Sequence, residues 1–166
     1  MTREQYIKVT GFTRALSQRL PGGTLVFRLP TLLCAAVYLG TLAYLVLRGD
    51  ARFFRAAAVP ACCFLLVTAI RPMIHRQRPY DRFGIPPVGK AKPGKGKSMP
   101  SRHTASAAAI ALAVMWVFPE PWVCAVMTAL CLLIAALRVL LGKHYPSDVL
   151  AALALSGLLC GAGFWL

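Results

Sequence analysis

The chain has 166 residues, 58% of them hydrophobic, and carries a net charge of +14. Only 14% of its residues are charged, against roughly 25% in soluble domains, which excludes a disordered chain and points into a membrane. Nine of the nineteen Lys and Arg lie between Arg71 and Arg102 and five precede Thr31, beside long apolar runs that a nucleic-acid module does not carry.

Residues 1–22 come first. Tyr6, Ile7, Val9, Phe12, Leu16 and Leu20 interleave with Arg3, Lys8, Arg14 and Arg19. That pattern predicts an amphipathic helix lying in the membrane interface. The stretch is too polar and basic for a cleavable signal, and Pro21-Gly22-Gly23 ends it. A spanning helix takes about 20 mainly apolar residues. The runs Thr31–Leu47, Ala56–Ile74, Thr104–Phe118, Trp122–Leu141 and Val149–Trp165 meet or approach that length. Backbone amides in lipid must be satisfied within the segment, so these runs are expected as helices. They are continuous rather than alternating, which disfavours a β-barrel. The expected fold is all-α: one domain over residues 1–166, a polytopic bundle of five spans plus the interfacial helix.

Most links between spans are short. The exception, residues 76–100, is rich in Gly, Pro and Lys and includes the basic stretch Gly89–Lys97. Its charge suits anionic head groups or an anionic substrate, and it is expected as a basic loop over an active site. An odd number of spans places the N-terminus, this loop and the link carrying His144 on one side. The six cysteines all lie in apolar runs, where they behave as small hydrophobes. No paired C-x-x-C spacing suggests zinc.

The chemistry-bearing residues cluster at span ends. Arg71 and Arg78 flank the exit of the second span, Pro100-Ser101-Arg102-His103 opens the third, Arg138 ends the fourth, and His144 and Asp148 open the fifth. Arginine offers phosphate a planar, permanently charged fork. Charges at such positions are costly and usually functional. A helix that begins at Ser101 presents free N–H groups to an anion. Asp148, four residues after His144, can hold one imidazole nitrogen protonated and leave the other free to attack phosphorus. His103 can protonate a leaving alkoxide. A metal held by His103, His144 and Asp148 is disfavoured by the surrounding cations.

At these residues the sequence resembles the type 2 phosphatidic acid phosphatase family, which includes isoprenyl diphosphate phosphatases. The family pattern is Lys, six residues, Arg-Pro; then Pro-Ser-Gly-His; then Ser-Arg, five residues, His, three residues, Asp. Here it reads Arg71, six residues, Arg78-Pro79; Pro100-Ser101-Arg102-His103; and Leu137-Arg138, five residues, His144, three residues, Asp148. The resemblance implies a phosphohistidine on His144, oriented by Asp148, with His103 as general acid. It implies phosphate binding by Arg71, Arg78, Ser101, Arg138 and the backbone N–H of Arg102, with no metal or other cofactor. The chain departs from the pattern at three positions. Arg71 stands for Lys, Arg102 for Gly and Leu137 for Ser, so Arg102 adds a cation at the pocket mouth where substrate preference is expected to differ.

The expected function is hydrolysis of a lipid phosphate of phosphatidate, phosphatidylglycerophosphate or isoprenyl diphosphate type, with the bilayer and that lipid as partners. Head-group or phosphoryl transfer on the same scaffold, and non-catalytic lipid binding, are the alternatives. The family's bacterial members generally face outward, so the active site is expected on the extracytoplasmic face. The basic bias of residues 1–30 and 71–102 pulls the other way.

Overall fold

The computed structural model describes residues 1–91 and 96–165. Lys92, Pro93, Gly94 and Lys95 of the expected basic loop lie outside the described residues. The helices are α1 (Arg3–Arg19), α2 (Leu29–Leu47), α3 (Arg52–Ile74), α4 (Pro79–Phe83), α5 (Arg102–Val117), α6 (Pro121–Leu140) and α7 (Pro146–Trp165). A 3₁₀ turn, Gly23–Arg28, leads directly into α2.

The all-α bundle matches the expectation, with four long apolar helices and a shorter fifth. Four segments are long and apolar enough to cross a membrane: Gly23–Leu47, α3, α6 and α7. The helix α5 has 16 residues, about 24 Å at 1.5 Å per residue, short of the hydrocarbon thickness. It is the central helix, enclosed by the other four. Ala107, Ala108 and Ala111 of α5 pack on Cys34 of α2 and on Met127, Leu130, Cys131 and Ile134 of α6. Its Ala105, Ala109 and Ala113 pack on Cys63 and Val67 of α3 and on Ala152, Cys160 and Phe164 of α7. Small side chains let helices approach closely where lipid leaves no hydrophobic drive between them. Many large apolar side chains of the surrounding helices face outward, among them Leu33, Leu39, Phe54, Leu65, Trp122 and Leu158.

Pro60 and Pro72 both lie inside α3, and the helix continues past each until His75 adopts a left-handed conformation at φ 47°. Neighbouring helices re-satisfy the backbone groups that Pro frees in such settings. At the end far from the histidines, the α2–α3 and α5–α6 corners meet. There Arg52 donates to the carbonyl of Val117 at 3.3 Å, and the tilted rings of Tyr44 and Phe118 lie 5.3 Å apart.

The α1 helix forms as expected, with a Thr2–Gln5 capping box, and turns an apolar face away from the protein. Tyr6, Thr10, Thr13 and Ser17 are buried against the protein, while Ile7 and Phe12 are exposed. Thr10, Thr13 and Ser17 return their hydroxyls to backbone carbonyls of their own helix, so a polar face can be buried without orphan donors.

Candidate active site

The ends of α3, α4, α5, α6 and α7 converge opposite the Arg52 corner, and each delivers at least one motif residue. The exit of α3 carries Arg71, buried, with a guanidinium nitrogen donating to the carbonyl of Lys97. After the left-handed turn at His75 the chain runs extended through Arg78, the N-cap of α4. Pro79 suits the first helical position because it needs no donor there. Arg78 is buried, and its Nη1 donates to the Tyr80 hydroxyl at 2.8 Å. Arg138 occupies the last turn of α6, where its Nη2 donates to Thr31 Oγ1 of α2 at 3.2 Å.

The α6–α7 corner positions His144. Gly142 takes φ 69°, and the N–H groups of Lys143 and His144 donate to the Arg138 carbonyl at 3.1 and 3.2 Å. The corner is pressed from outside by Tyr6, whose hydroxyl lies 3.3 Å from the Gly142 carbonyl and 3.2 Å from that of Ile85. Burial pushes the Tyr6 phenol up to about 12.

Asp148, in the first turn of α7, is fully buried. Its Oδ2 accepts from Ser98 Oγ at 2.5 Å and from the Tyr145 N–H at 2.9 Å. It lies 3.6 Å from His144 Nδ1, just beyond hydrogen-bond length; such contacts tighten in catalytic complexes. The other oxygen, Oδ1, stands 2.8 Å from Arg76 Nη1 in an ion contact that lacks hydrogen-bond alignment. Burial holds the His144 imidazole below its ordinary pKa; Asp148 works against this, and the Arg78 and Arg71 charges reinforce it. The net effect favours the neutral imidazole over the imidazolium.

A cavity of about 770 Å³ opens among these ends, lined by Arg71, Arg78, Arg102, His103, Arg138 and His144. Lys90 and Lys143 also line it, and no carboxylate does among the described residues. The Nε atoms of Arg71, Arg78 and Arg138 are buried without a hydrogen-bond partner. Orphan buried donors are expensive, so three beside one cavity fit an anion with several acceptor oxygens.

Two of the residues expected at the site do not line this cavity. Asp148 stands behind His144. Ser101, also fully buried, accepts from Thr104 at 3.1 Å, and its N–H donates to the Asp148 carbonyl at 3.1 Å, which ties the start of α5 to α7. Val88, Gly89, Lys90 and Ala91 from the long link reach the cavity wall, with the Val88 N–H bound to the Leu141 carbonyl at 3.0 Å. Sequence reasoning gave no role to Arg76, Ser98, Thr31 or Tyr6. Only Arg76 had a signal, as a further cation within the Arg71–Pro79 segment.

Comparison with known proteins identifies the family and the fold. No curated protein matches the chain significantly. Among solved structures, the chain resembles the crystal structure described as the first transmembrane PAP2 type phosphatidylglycerolphosphate phosphatase from Bacillus subtilis. The two share 24% identity with a TM-score of 0.66, over 97% of this chain and 83% of that one. The model of the PAP2 superfamily matches residues 52–166, the segment holding every motif residue. With its helices, its ordered motifs and that match, the chain belongs to the PAP2 superfamily and is an integral membrane phosphatase.

Proposed function

We propose that the protein hydrolyses a lipid phosphate ester or diphosphate through a phosphohistidine on His144. The observation that carries this is one cavity in which Arg71, Arg78, Arg138, His103 and His144 meet, with Asp148 buried behind His144. Three guanidinium groups would hold the phosphate dianion and neutralise charge as it develops in the transition state. Asp148 on the Nδ1 side would keep the proton on that nitrogen and leave the Nε2 lone pair free to attack phosphorus. A P–N bond forms as the P–O bond to the lipid breaks, and His103 gives its proton to the departing oxygen. Water then attacks the phosphohistidine with His103 taking its proton, and inorganic phosphate leaves.

The substrate is proposed to be a lipid because the cavity lies at the ends of spanning helices beside exposed Leu25 and Leu32. Exposed Ile7 and Phe12 on α1 support a helix seated in the interface on the same side. The similar Bacillus subtilis structure, described as a phosphatidylglycerolphosphate phosphatase, favours that lipid class as a first substrate to test. An extracytoplasmic active site is proposed on the family's usual orientation.

The experiment is phosphate release by detergent-solubilised protein from phosphatidylglycerophosphate, phosphatidate and an isoprenyl diphosphate in turn. Release from at least one, abolished by His144→Ala, is expected. Release from none, or release undiminished by the substitution, would defeat the proposal.

A further inference from the structure

We infer that Arg76 and Ser98 are positioning residues that hold the Asp148 carboxylate against His144, and that the long link exists in part to deliver Ser98 to it. The inference rests on the chemistry proposed for His144.

The geometry begins in the backbone. Past the left-handed turn at His75, Arg76 runs beside the end of the long link in a single parallel bridge to Lys97. The Ser98 N–H donates to the Arg76 carbonyl at 2.9 Å, and the Arg71 side chain holds the Lys97 carbonyl from the other side. Gly96, at φ 76°, lies beside His75, and its left-handed backbone suits glycine. This pairing sets Ser98, fully buried, with its hydroxyl 2.5 Å from Asp148 Oδ2. The same Arg76 whose carbonyl fixes Ser98 turns its guanidinium to Asp148 Oδ1 at 2.8 Å and stacks over the Tyr145 ring at 4.6 Å.

The carboxylate is thus held from both oxygens. Ser98 and the Tyr145 N–H take Oδ2, and Arg76 takes Oδ1. A fully buried carboxylate needs such partners to remain charged. Neither Arg76 nor Ser98 lines the cavity, so neither is placed to touch the phosphate. Their route to the chemistry runs through Asp148. Losing Ser98 frees the carboxylate to rotate away from the imidazole. Losing Arg76 also removes a cation next to the His144–Asp148 pair, which favours the imidazolium and raises the His144 pKa.

Other charged or titratable groups adjoin the pair or line the same cavity. They are Arg71 at the α3 exit, Arg78 at the start of α4, Arg102 and His103 from α5, and Arg138, Lys143 and Tyr145 from the α6–α7 corner. All of them are unchanged by a single substitution at Arg76 or Ser98, so the difference between variants isolates each contact.

The test compares wild type with Ser98→Ala, Arg76→Gln and Arg76→Lys, on whichever lipid phosphate the wild type hydrolyses. Thermal unfolding, kcat, KM and the pH profile of kcat/KM are read for each. Ser98→Ala and Arg76→Gln are expected to lower kcat about 10–100-fold, the usual scale for partners that orient a catalytic group. KM should stay within about twofold, because phosphate binding is untouched. Arg76→Gln should also move the acid limb to higher pH, and Arg76→Lys should restore most of that shift. A raised KM at constant kcat would overturn the inference in favour of phosphate binding. A lowered melting temperature with the acid limb unmoved would overturn it in favour of a purely structural role. If Arg76→Gln does not fold, Ser98→Ala decides: unchanged kcat overturns the inference and a selective fall in kcat supports it. A wild type that releases no phosphate defeats the proposed function and this inference together, whereas an active wild type with indifferent variants defeats this inference alone.

Discussion

Gly142→Ala is expected to be among the most damaging single-methyl changes in the protein. Two costs combine there. Gly142 sits at φ 69°, and an L-residue in the left-handed region costs about 1–2 kcal/mol. The added Cβ would also lie 2.6 Å from both the Tyr6 hydroxyl oxygen and Thr10 Cγ2, and 2.8 Å from Tyr6 Cε2. Tyr6 is fully buried and its hydroxyl faces the carbonyls of Ile85 and Gly142, so it cannot swing aside freely. Overpacking of that kind costs about 1–3 kcal/mol, for a sum of about 2–5 kcal/mol. Gly49 provides the control: it too has positive φ, at 61°, but nothing lies within 4 Å of its Cβ position. Gly49→Ala should therefore lose only the conformational part, about 1–2 kcal/mol. Thermal unfolding of both variants in the same detergent measures the difference, and phosphate release shows whether the displaced corner carries His144 with it. Tyr6→Phe in the Gly142→Ala background should recover part of the overpacking cost. Equal losses at the two glycines, or full activity in folded Gly142→Ala, would refute the view that α1 clamps the corner that presents His144.

Three further outcomes follow from the site. His144 must be neutral to attack, and burial lowers its pKa, so the acid limb of kcat/KM should lie below pH 6.5, the ordinary histidine value; activity is retained above that limb and lost as pH falls through it, and a limb above 6.5 would contradict the burial argument. Arg138→Gln should reduce kcat/KM about 10²–10³-fold, the scale for removing one preorganised donor from a developing oxyanion, and a loss under about threefold would take Arg138 out of the phosphate site. In intact cells, Ala91→Cys, exposed on the link beside the cavity, should react with an impermeant maleimide if the site faces outward; labelling only after lysis would place the site in the cytoplasm.

Much of this fold was legible because bilayer physics constrains it. Continuous apolar runs between punctuating Gly, Pro and Arg marked α2, α3, α6 and α7, and even Pro60 did not mislead, since proline in a spanning helix is supported by its neighbours. Hydropathy did not separate α5 from its neighbours. The alanines of α5 are apolar enough to read as a span, but their small size suits a central helix wrapped by the others. On α1, Ile7 and Phe12 were legible as an apolar face, but not the threonines that face inward by satisfying their own hydroxyls. At the site, Arg71, Arg78, His103, Arg138 and His144 were visible because their spacing is local to helix ends. Ser98 was not, because a lone serine in an irregular link carries no periodicity. Its place depends on the pairing of Arg76 with Lys97 and Ser98, two segments that only the folded chain brings together.

The proposed mechanism turns on a covalent bond between phosphorus and His144. Rapid quenching of wild-type protein with a phosphate-labelled lipid substrate, followed by mass spectrometry of its peptides, tests it directly. An acid-labile, base-stable phosphoryl group is expected on His144, absent from His144→Ala and longer-lived when His103→Ala slows the attack of water. Turnover with no phosphoryl group on His144, or phosphate release that persists in His144→Ala, would contradict it.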